Sequence, residues 1–205
     1  MPPFPLIVEP DTRRHPERPT GTLPLPPQRL AQRSDAPRIS ELMRGSVLDL
    51  FPSSHDQQQT ASASVHIAHL DMRLIEDGTY FVHEAGDEMV ACGGWSRRSK
   101  LYMGSGSGED DDRLLDPSTE PARIRAMFVR SDWTRRGLGR AILDSCERAA
   151  HHEGFRTLIL MATLAGEPLY RSFGFRELER VELTLPDGVA VPGVAMERPI
   201  AKAQR

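Results

Sequence analysis

The first regular pattern of apolar residues lies between positions 39 and 50, where they recur every three or four residues. This spacing predicts an amphipathic helix with Asp35 as its cap and Pro37 in its first turn. A second helix is predicted from Ala61 to Ile75, with Val65 on its buried face. The apolar positions of the first helix are Ile39, Leu42, Met43, Val47 and Leu50.

The order of the other segments predicts the fold class. A short strand near Arg29 precedes the two helices, and extended apolar segments alternate with helical ones in the rest of the chain. This order is typical of an α/β domain with a mixed sheet flanked by helices. The later predicted strands are 79–84, 89–96, 123–129, 157–163, 181–185 and 194–198, and the later predicted helices are 137–151 and 169–173.

Two segments do not follow the periodic pattern. Residues 1–27 are rich in proline, which removes backbone donors, and we expect a disordered arm ahead of a single domain over residues 28–205. Residues 99–121 combine glycines with the acidic run Glu109 to Asp112, which predicts a long loop insertion. Such a loop is either a binding loop or a solvated insertion, and the sequence leaves both open.

Composition excludes several classes of protein. The 205 residues carry a formal net charge of -3, which gives no indication of a nucleic-acid surface. Cys92 and Cys146 lie in different predicted elements without metal-ligand spacing, so we expect two buried, reduced thiols. No apolar run reaches the ~20 residues of a membrane span, and no signal peptide is predicted. The expected compartment is the cytoplasm.

The segment Arg135-Arg136-Gly137-Leu138-Gly139-Arg140 lies between a predicted strand and a predicted helix. Its glycines allow the backbone to approach a ligand, and the helix N-terminus offers unpaired N–H groups to a pyrophosphate. A nucleoside-triphosphate loop needs a Gly-Lys-Ser/Thr ending, which is absent. A dinucleotide fold needs a small residue where Ile142 stands. A coenzyme A site and a tight turn used only for packing remain.

The stretch from Ile124 to Leu143 is similar to the central motif of the GNAT acetyltransferases. That family has glutamine or arginine, two residues, glycine, one residue, and then glycine or alanine. Gly137 and Gly139 match, whereas Thr134 stands at the first position, so the resemblance assigns no role to that side chain. The stretch from Leu169 to Phe175 resembles a second family signature, tyrosine, three residues, glycine and phenylalanine.

The resemblance implies a mostly antiparallel mixed sheet in which a splayed central strand pair forms the acetyl-CoA cleft. Backbone groups of Met127, Phe128 and Val129 would then pair with the pantetheine arm, and N–H groups of residues 135–140 would meet the pyrophosphate. It also implies that Tyr170 is the general acid for the leaving thiolate.

Candidates for the remaining roles are weaker. Some family members have a glutamate on the strand before the glycines, where this chain has Arg123 and Arg125. The open alternatives for the base are Glu167, His83 and a chain of waters. Trp95 and Arg125 are candidate acceptor-binding residues. His66 and His69 share a predicted helix, but without a third ligand in pattern no metal site is expected.

Two classes of function follow from these motifs. The first is an enzyme that moves an acetyl group from acetyl-CoA, as co-substrate, to the amine of an unidentified small molecule by direct attack. The second is a non-catalytic acyl-CoA-binding or regulatory module of the same fold, which the missing strand glutamate favours and Tyr170 opposes. No nucleic-acid or membrane partner is expected, and a homodimer remains open.

Overall fold

The computed structural model describes residues 24–101 and 112–200, whose strands form a seven-stranded sheet in the order β1-β2-β3-β4-β5-β7-β6. Parallel pairing occurs only between β4 and β5 among these strands, and the other pairs are antiparallel. The predicted mixed, mostly antiparallel sheet is therefore confirmed. The strands are β1 (Gln28–Leu30), β2 (Tyr80–Ala85), β3 (Glu88–Ser96), β4 (Ala122–Val129), β5 (Thr157–Thr163), β6 (Arg176–Thr184) and β7 (Ala190–Pro199).

Helices cover both faces of this sheet. Two consecutive residues of β3 belong to separate apolar clusters, Ala91 to one that contains residues of α4 and Cys92 to one that contains residues of α1. Because successive strand residues point to opposite faces, α4 and α1 lie on opposite sides of the sheet. The helices are α1 (Ala36–Leu50), α2 (Gln57–His66), α3 (Met72–Glu76), α4 (Leu138–His152) and α5 (Glu167–Phe173).

The prediction of a single helix from Ala61 to Ile75 is wrong. The chain forms α2 and α3, separated by the non-helical residues 67–71. Asp71 caps α3, since its Oδ1 accepts the backbone N–H of Arg73 at 3.1 Å, and a capping residue does not have helical geometry. Val65, which was expected on the buried face, lies in α2 and is 63% exposed.

The role predicted for Asp35 also differs in the structure. Its carboxylate does not cap α1. Instead it accepts Nη1 of Arg29 at 2.6 Å and Nη2 at 2.9 Å, and the backbone N–H of Gln32 at 2.8 Å. The guanidinium of Arg29 and the Gln32 N–H lower the pKa of this buried carboxyl group. Asp35 therefore fastens β1 to the start of α1.

Parts of the two irregular segments lie outside the described residues. This applies to residues 1–23 of the predicted arm and to residues 102–111 of the predicted insertion. The last arm residues are described and pack on β2, since the carbonyls of Pro26 and Pro27 accept hydrogen bonds from the His83 ring and the Glu84 N–H. An antiparallel bridge between Arg98 and Leu114 joins the described residues on either side of this gap.

Both thiols are free and buried, and burial raises the pKa of Cys92 to about 12. None of the helices within residues 24–101 and 112–200 has the length and apolar character needed to cross a membrane. In the same ranges no three His, Cys, Asp or Glu side chains cluster in a way that could hold a metal ion.

Candidate active site

The sheet opens between β4 and β5. These parallel strands pair only at their first residues, with Ala122 opposite Leu158 and Arg123 opposite Ile159. Beyond this point β4 continues to Val129 without a partner on its β5 side, while β3 still pairs with its other side. The splayed central strand pair that the family resemblance implied is present. Its unpaired edge offers backbone donors and acceptors to an extended ligand.

A bulge shapes β4 inside the split. Cys92 of β3 lies opposite Phe128 and Gly94 lies opposite Arg125, so Gly93 faces two residues of β4, Ala126 and Met127. Ala126 has a φ of 52°, which a residue with a Cβ rarely adopts. The phenol of Tyr80 donates to the Ala126 carbonyl at 2.7 Å. A Cβ on Gly93 would lie 2.3 Å from Sδ of Met127, so only glycine fits beside the bulge.

The predicted glycine loop precedes α4. Gly137 has a φ of 92°, a left-handed conformation that glycine adopts at low cost. The first backbone hydrogen bond of the helix runs from the Ala141 N–H to the Gly137 carbonyl. The N–H groups of Leu138, Gly139 and Arg140 therefore lack a helical acceptor, at the positive end of the helix dipole. All four residues from 137 to 140 line the cavity described below.

The two glycines have different structural roles. Gly137 is needed for its left-handed backbone conformation and not for space, since a Cβ there would meet only Leu25 at 3.9 Å. Gly139 provides space, because a Cβ there would lie 2.7 Å from Cδ2 of Leu169 on α5. From the sequence, both glycines are expected to let the backbone come close to a ligand. For Gly139 the structure adds a packing reason, the close contact between α4 and α5.

The three arginines around the loop do not act as one cluster. Arg135 lines the cavity, and its φ of 62° continues the turn toward Gly137. Arg140 also lines the cavity, and its guanidinium donates to the Ser172 carbonyl of α5 at 3.0 Å. Arg136 lies elsewhere, with its guanidinium 4.4 Å from the centre of the Trp133 ring and bonded to the Asp132 carbonyl at 3.0 Å.

A cavity of about 610 Å³ occupies the split. Residues from both faces of the sheet line it, with the N-terminus of α4 and α5 on one side and α1 and the α2–α3 connection on the other. Met127, Phe128 and Val129 line it along β4, and their pairing with a ligand stays a prediction. The cavity therefore joins the glycine loop to the opposite face through the gap between the strands.

Tyr170 lies on α5 and lines this cavity. Its side chain is 7% exposed, and its ring packs edge-on against Phe175 at 5.9 Å. Burial, with the nearby Cys146 thiol, raises the pKa of Tyr170 above its ordinary value, so the phenol keeps its proton at neutral pH. No hydrogen bond joins the phenol to any residue in the described ranges, which leaves it available to a ligand.

The lining on the α2–α3 side contains residues that the sequence pattern did not indicate. Alternate residues of the α2–α3 connection, Ile67, His69 and Asp71, line the cavity. Leu70, between the last two, is buried in the α1-side cluster. Nη1 of Arg125, from β4, donates to Oδ2 of Asp71 at 2.9 Å, and the Arg125 side chain is 5% exposed. A continuous helix cannot present such an alternation, so the helix prediction concealed this surface.

The other predicted candidates lie away from the cavity. Trp95 is 1% exposed and packs edge-on against Phe155 at 5.8 Å. Its large apolar ring is buried in the core of the domain. Glu167 is bonded to Arg171 at 2.7 Å and to Arg180 at 2.8 Å, and these guanidinium groups lower its pKa. Its carboxylate is a weak proton acceptor. His83 is 2% exposed and hydrogen-bonded to the Pro26 carbonyl.

A family model described as the acetyltransferase (GNAT) domain matches residues 76–177, about half of the chain. The matched range contains β4, the glycine loop, α4, β5 and α5, which are the elements that build the split and its loop. The chain belongs to the GNAT acetyltransferase family. The resemblance found in the two sequence motifs is thereby confirmed.

Solved structures of GNAT proteins share the fold at low identity. A GCN5-related N-acetyltransferase from Rhodopseudomonas palustris is 15% identical with a TM-score of 0.66, over 86% of this chain and 96% of that one. PaiA N-acetyltransferase from Thermoplasma acidophilum, solved with coenzyme A, is 11% identical with a TM-score of 0.58, over 84% and 98%. Ribosomal-protein-alanine N-acetyltransferase from Brucella melitensis is 16% identical with a TM-score of 0.55, over 84% and 98%. A comparison with proteins of curated function gave no match.

Proposed function

We propose that this GNAT protein transfers the acetyl group of acetyl-CoA to the amine of a small molecule. The observation that carries the proposal is the continuity of one cavity from the α4 N-terminus, through the β4–β5 split, to the α2–α3 connection. A reaction between two substrates that enter from opposite faces of a sheet requires such a passage. Acetyl-CoA, when bound, supplies an acetyl thioester that a neutral amine can attack.

The donor side fits the chemistry of coenzyme A. A pyrophosphate would accept hydrogen bonds from the N–H groups of Leu138, Gly139 and Arg140, with Arg135 as a nearby positive charge. The unpaired edge of β4, from Met127 to Val129, would pair with the two amide groups of the pantetheine arm. Arg136 is not assigned a direct role in this proposal, because its guanidinium is bonded to the loop backbone.

Tyr170 would donate the proton that the departing sulfur needs. Its phenol lines the cavity, is protonated at neutral pH and has no acceptor among the residues in the described ranges. A positioned acid typically contributes about 10²–10⁴-fold to the rate. The proton would leave the phenol only as negative charge develops on sulfur, which suits an acid whose pKa is raised.

The acceptor side is mainly apolar. Phe51, Ile67, Leu183 and Leu185 line this end, and Arg125 lies among them with its charge compensated by Asp71. We therefore expect an amine attached to an apolar body. Arg125, the candidate acceptor-binding residue, would act on this side by holding Asp71 at the cavity wall.

A two-stage experiment tests the proposal. Calorimetric titration with acetyl-CoA, with NADH as control, should show saturable binding that is lost when Gly137 and Gly139 are both replaced by bulky residues. CoA release should then depend on an amine from a panel of small molecules and fall at least tenfold in Tyr170→Phe. Binding without amine-dependent release would instead favour a non-catalytic acyl-CoA-binding module. Absence of acetyl-CoA binding would contradict both.

A further inference from the structure

Transfer to an amine requires a proton acceptor, and the β4 position used by some relatives is occupied by arginine. Within the described residues, the cavity lining contains one carboxylate, Asp71, and one imidazole, His69. Both come from the α2–α3 connection. The oxygens of Asp71 already accept hydrogen bonds from Nη1 of Arg125 and from the Arg73 N–H, so this carboxylate serves structure first.

His69 is placed differently from the other described histidines considered for a role. Its side chain is exposed while it lines the cavity, and it makes no hydrogen bond or ion pair with the described part of the chain. His83 is buried against Pro26, and His66 faces Asp187 at 3.5 Å on the other side of the break. The same non-helical break therefore separates two histidines that a continuous helix would have placed together.

The connection holds His69 in place from both sides. Ile67 and Asp71 flank it on the cavity wall, and the buried Leu70 and the Asp71–Arg125 ion pair fix the segment to the core and to β4. A ring positioned in this way has solvent at one side, where a proton can leave, and the cavity at the other. Imidazole is also the side chain whose ordinary pKa lies closest to neutral pH.

We infer that His69 is the proton acceptor for the amine substrate. This inference rests on the proposed acetyl transfer and names the group that prepares the amine for it. A ring nitrogen of neutral His69 takes one proton from the ammonium form of the substrate and passes it to solvent. The nitrogen of the neutral substrate amine then bonds to the acetyl carbon as the carbon–sulfur bond breaks. Sulfur receives the Tyr170 proton. The new amide nitrogen loses its extra proton to the Tyr170 phenolate, which restores the phenol.

Among the described residues, four charged groups share the cavity with His69. They are Asp71 on the same connection, Arg125 on β4, and Arg135 and Arg140 at the glycine loop. Asp71 and Arg125 compensate each other, and the two loop arginines would face the phosphates of bound acetyl-CoA. The pH dependence is therefore measured with acetyl-CoA at saturation, which keeps these neighbours in one charge state.

The experiment compares His69→Gln with the native protein over the neutral to alkaline range, using 2-phenylethylamine as the amine. At about pH 7 we expect kcat/KM to fall about 10²-fold, within the usual range for loss of a general base. The loss should shrink as the pH approaches the pKa of the ammonium form of the substrate in solution. Neutral amine is then already present and needs no proton acceptor. A structural defect would give a loss that does not depend on pH.

Controls separate this inference from the proposed function. His152→Gln removes another exposed histidine, at the end of α4 and away from the cavity, and should keep native kinetics. Acetyl-CoA affinity by calorimetry should be unchanged in His69→Gln. In the CoA-bound protein, the His69 ring resonance, identified by its absence from the variant, should shift when the amine is added.

Each result decides one of the two claims. Equal pH profiles for native protein and His69→Gln, with amine-dependent turnover intact, would overturn the role of His69 and leave acetyl transfer standing. Turnover that is absent from the native protein with 2-phenylethylamine and with the whole amine panel would overturn the proposed function, and this inference with it. Restoration of the variant by added imidazole would support His69 directly.

Discussion

The phenol of Tyr80 on β2 donates a 2.7 Å hydrogen bond to the carbonyl of Ala126 on β4, two strands away. Tyr80 is fully buried, and Ala126 is the bulge residue with a φ of 52°. A left-handed alanine is unfavourable by roughly 1–2 kcal/mol, so the surrounding structure must hold it. The Tyr80 phenol is one of the groups that do so, and it thereby controls the edge of β4 that faces the cavity.

Replacement of Tyr80 by phenylalanine should affect both stability and ligand binding. The variant keeps the ring but leaves the Ala126 carbonyl without this donor, so we expect a loss of about 1 kcal/mol in the free energy of unfolding. Acetyl-CoA should also bind more weakly, because the bulge would be less well ordered. Urea unfolding and calorimetry measure the two effects. An unchanged affinity would show that the bulge persists without Tyr80.

Replacement of Gly137 by alanine should weaken acetyl-CoA binding. Alanine is strained at a φ of 92°, at a cost of about 1–2 kcal/mol, and relief of that strain would turn the N–H groups of the loop away from the cavity. Gly188→Ala provides the matched control, since Gly188 has a φ of 84°, open space around its Cβ position and a place in the β6–β7 turn, outside the cavity lining. It should lose similar stability and retain affinity. Equal affinities in both variants would contradict a conformational role for Gly137.

Gly139→Ala should act through α5. The new Cβ would lie 2.7 Å from Cδ2 of Leu169, so we expect α5 to move and acetyl-CoA affinity to fall. Leu169→Ala removes the obstructing atoms, and the double variant should bind better than Gly139→Ala alone. A double-mutant cycle measures this coupling. Simple additivity would indicate that the methyl group obstructs the ligand rather than the helix.

Removal of either partner of the Asp71–Arg125 pair should destabilise the protein more than removal of both. Asp71→Asn removes the negative charge that lies 2.9 Å from the nearly buried guanidinium, and Arg125→Met removes the positive charge beside the carboxylate. We expect each single change to cost up to about 3 kcal/mol, the low end for a buried pair, because Asp71 keeps some contact with solvent. Urea unfolding of the cycle checks the coupling. Additive effects would show that the pair does not act as a unit.

Stability should fall in acid through Asp35. Arg29 and the Gln32 N–H lower its pKa in the folded state, so the stabilisation is present above the unfolded pKa of about 3.9 and is lost as the pH falls through the folded value. Asp35→Asn should therefore be less stable than the native protein at neutral pH and converge with it in acid. Glu41→Gln, an exposed carboxylate change on α1, is the control. A constant difference at all pH values would exclude this linkage.

The sequence predicted the donor side better than the acceptor side. Periodicity located α1, α4 and most strands, because their apolar faces are regular, and the glycine spacing identified the loop before α4. The bulge at Ala126 escaped detection, since its cause is the pairing of β3 with β4 and not the local sequence. The break at residues 67–71 was missed for a similar reason. The i, i+4 spacing of Leu70 and Leu74 is typical of a helix, and the capping role of Asp71 and its contact with Arg125 are visible only in the fold.

The proposed recognition of acetyl-CoA by main-chain groups has a consequence for how far the sequence can diverge. The N–H groups at the start of α4 and the free edge of β4 are present whatever side chains the chain carries, provided that Gly137 keeps its turn. Such a site places few demands on side-chain identity, which is consistent with Thr134 at the first motif position and with a fold shared at 15% identity. Side chains at the α2–α3 end of the cavity would set the fit to the proposed acceptor, so lineages could exchange acceptors while keeping one donor.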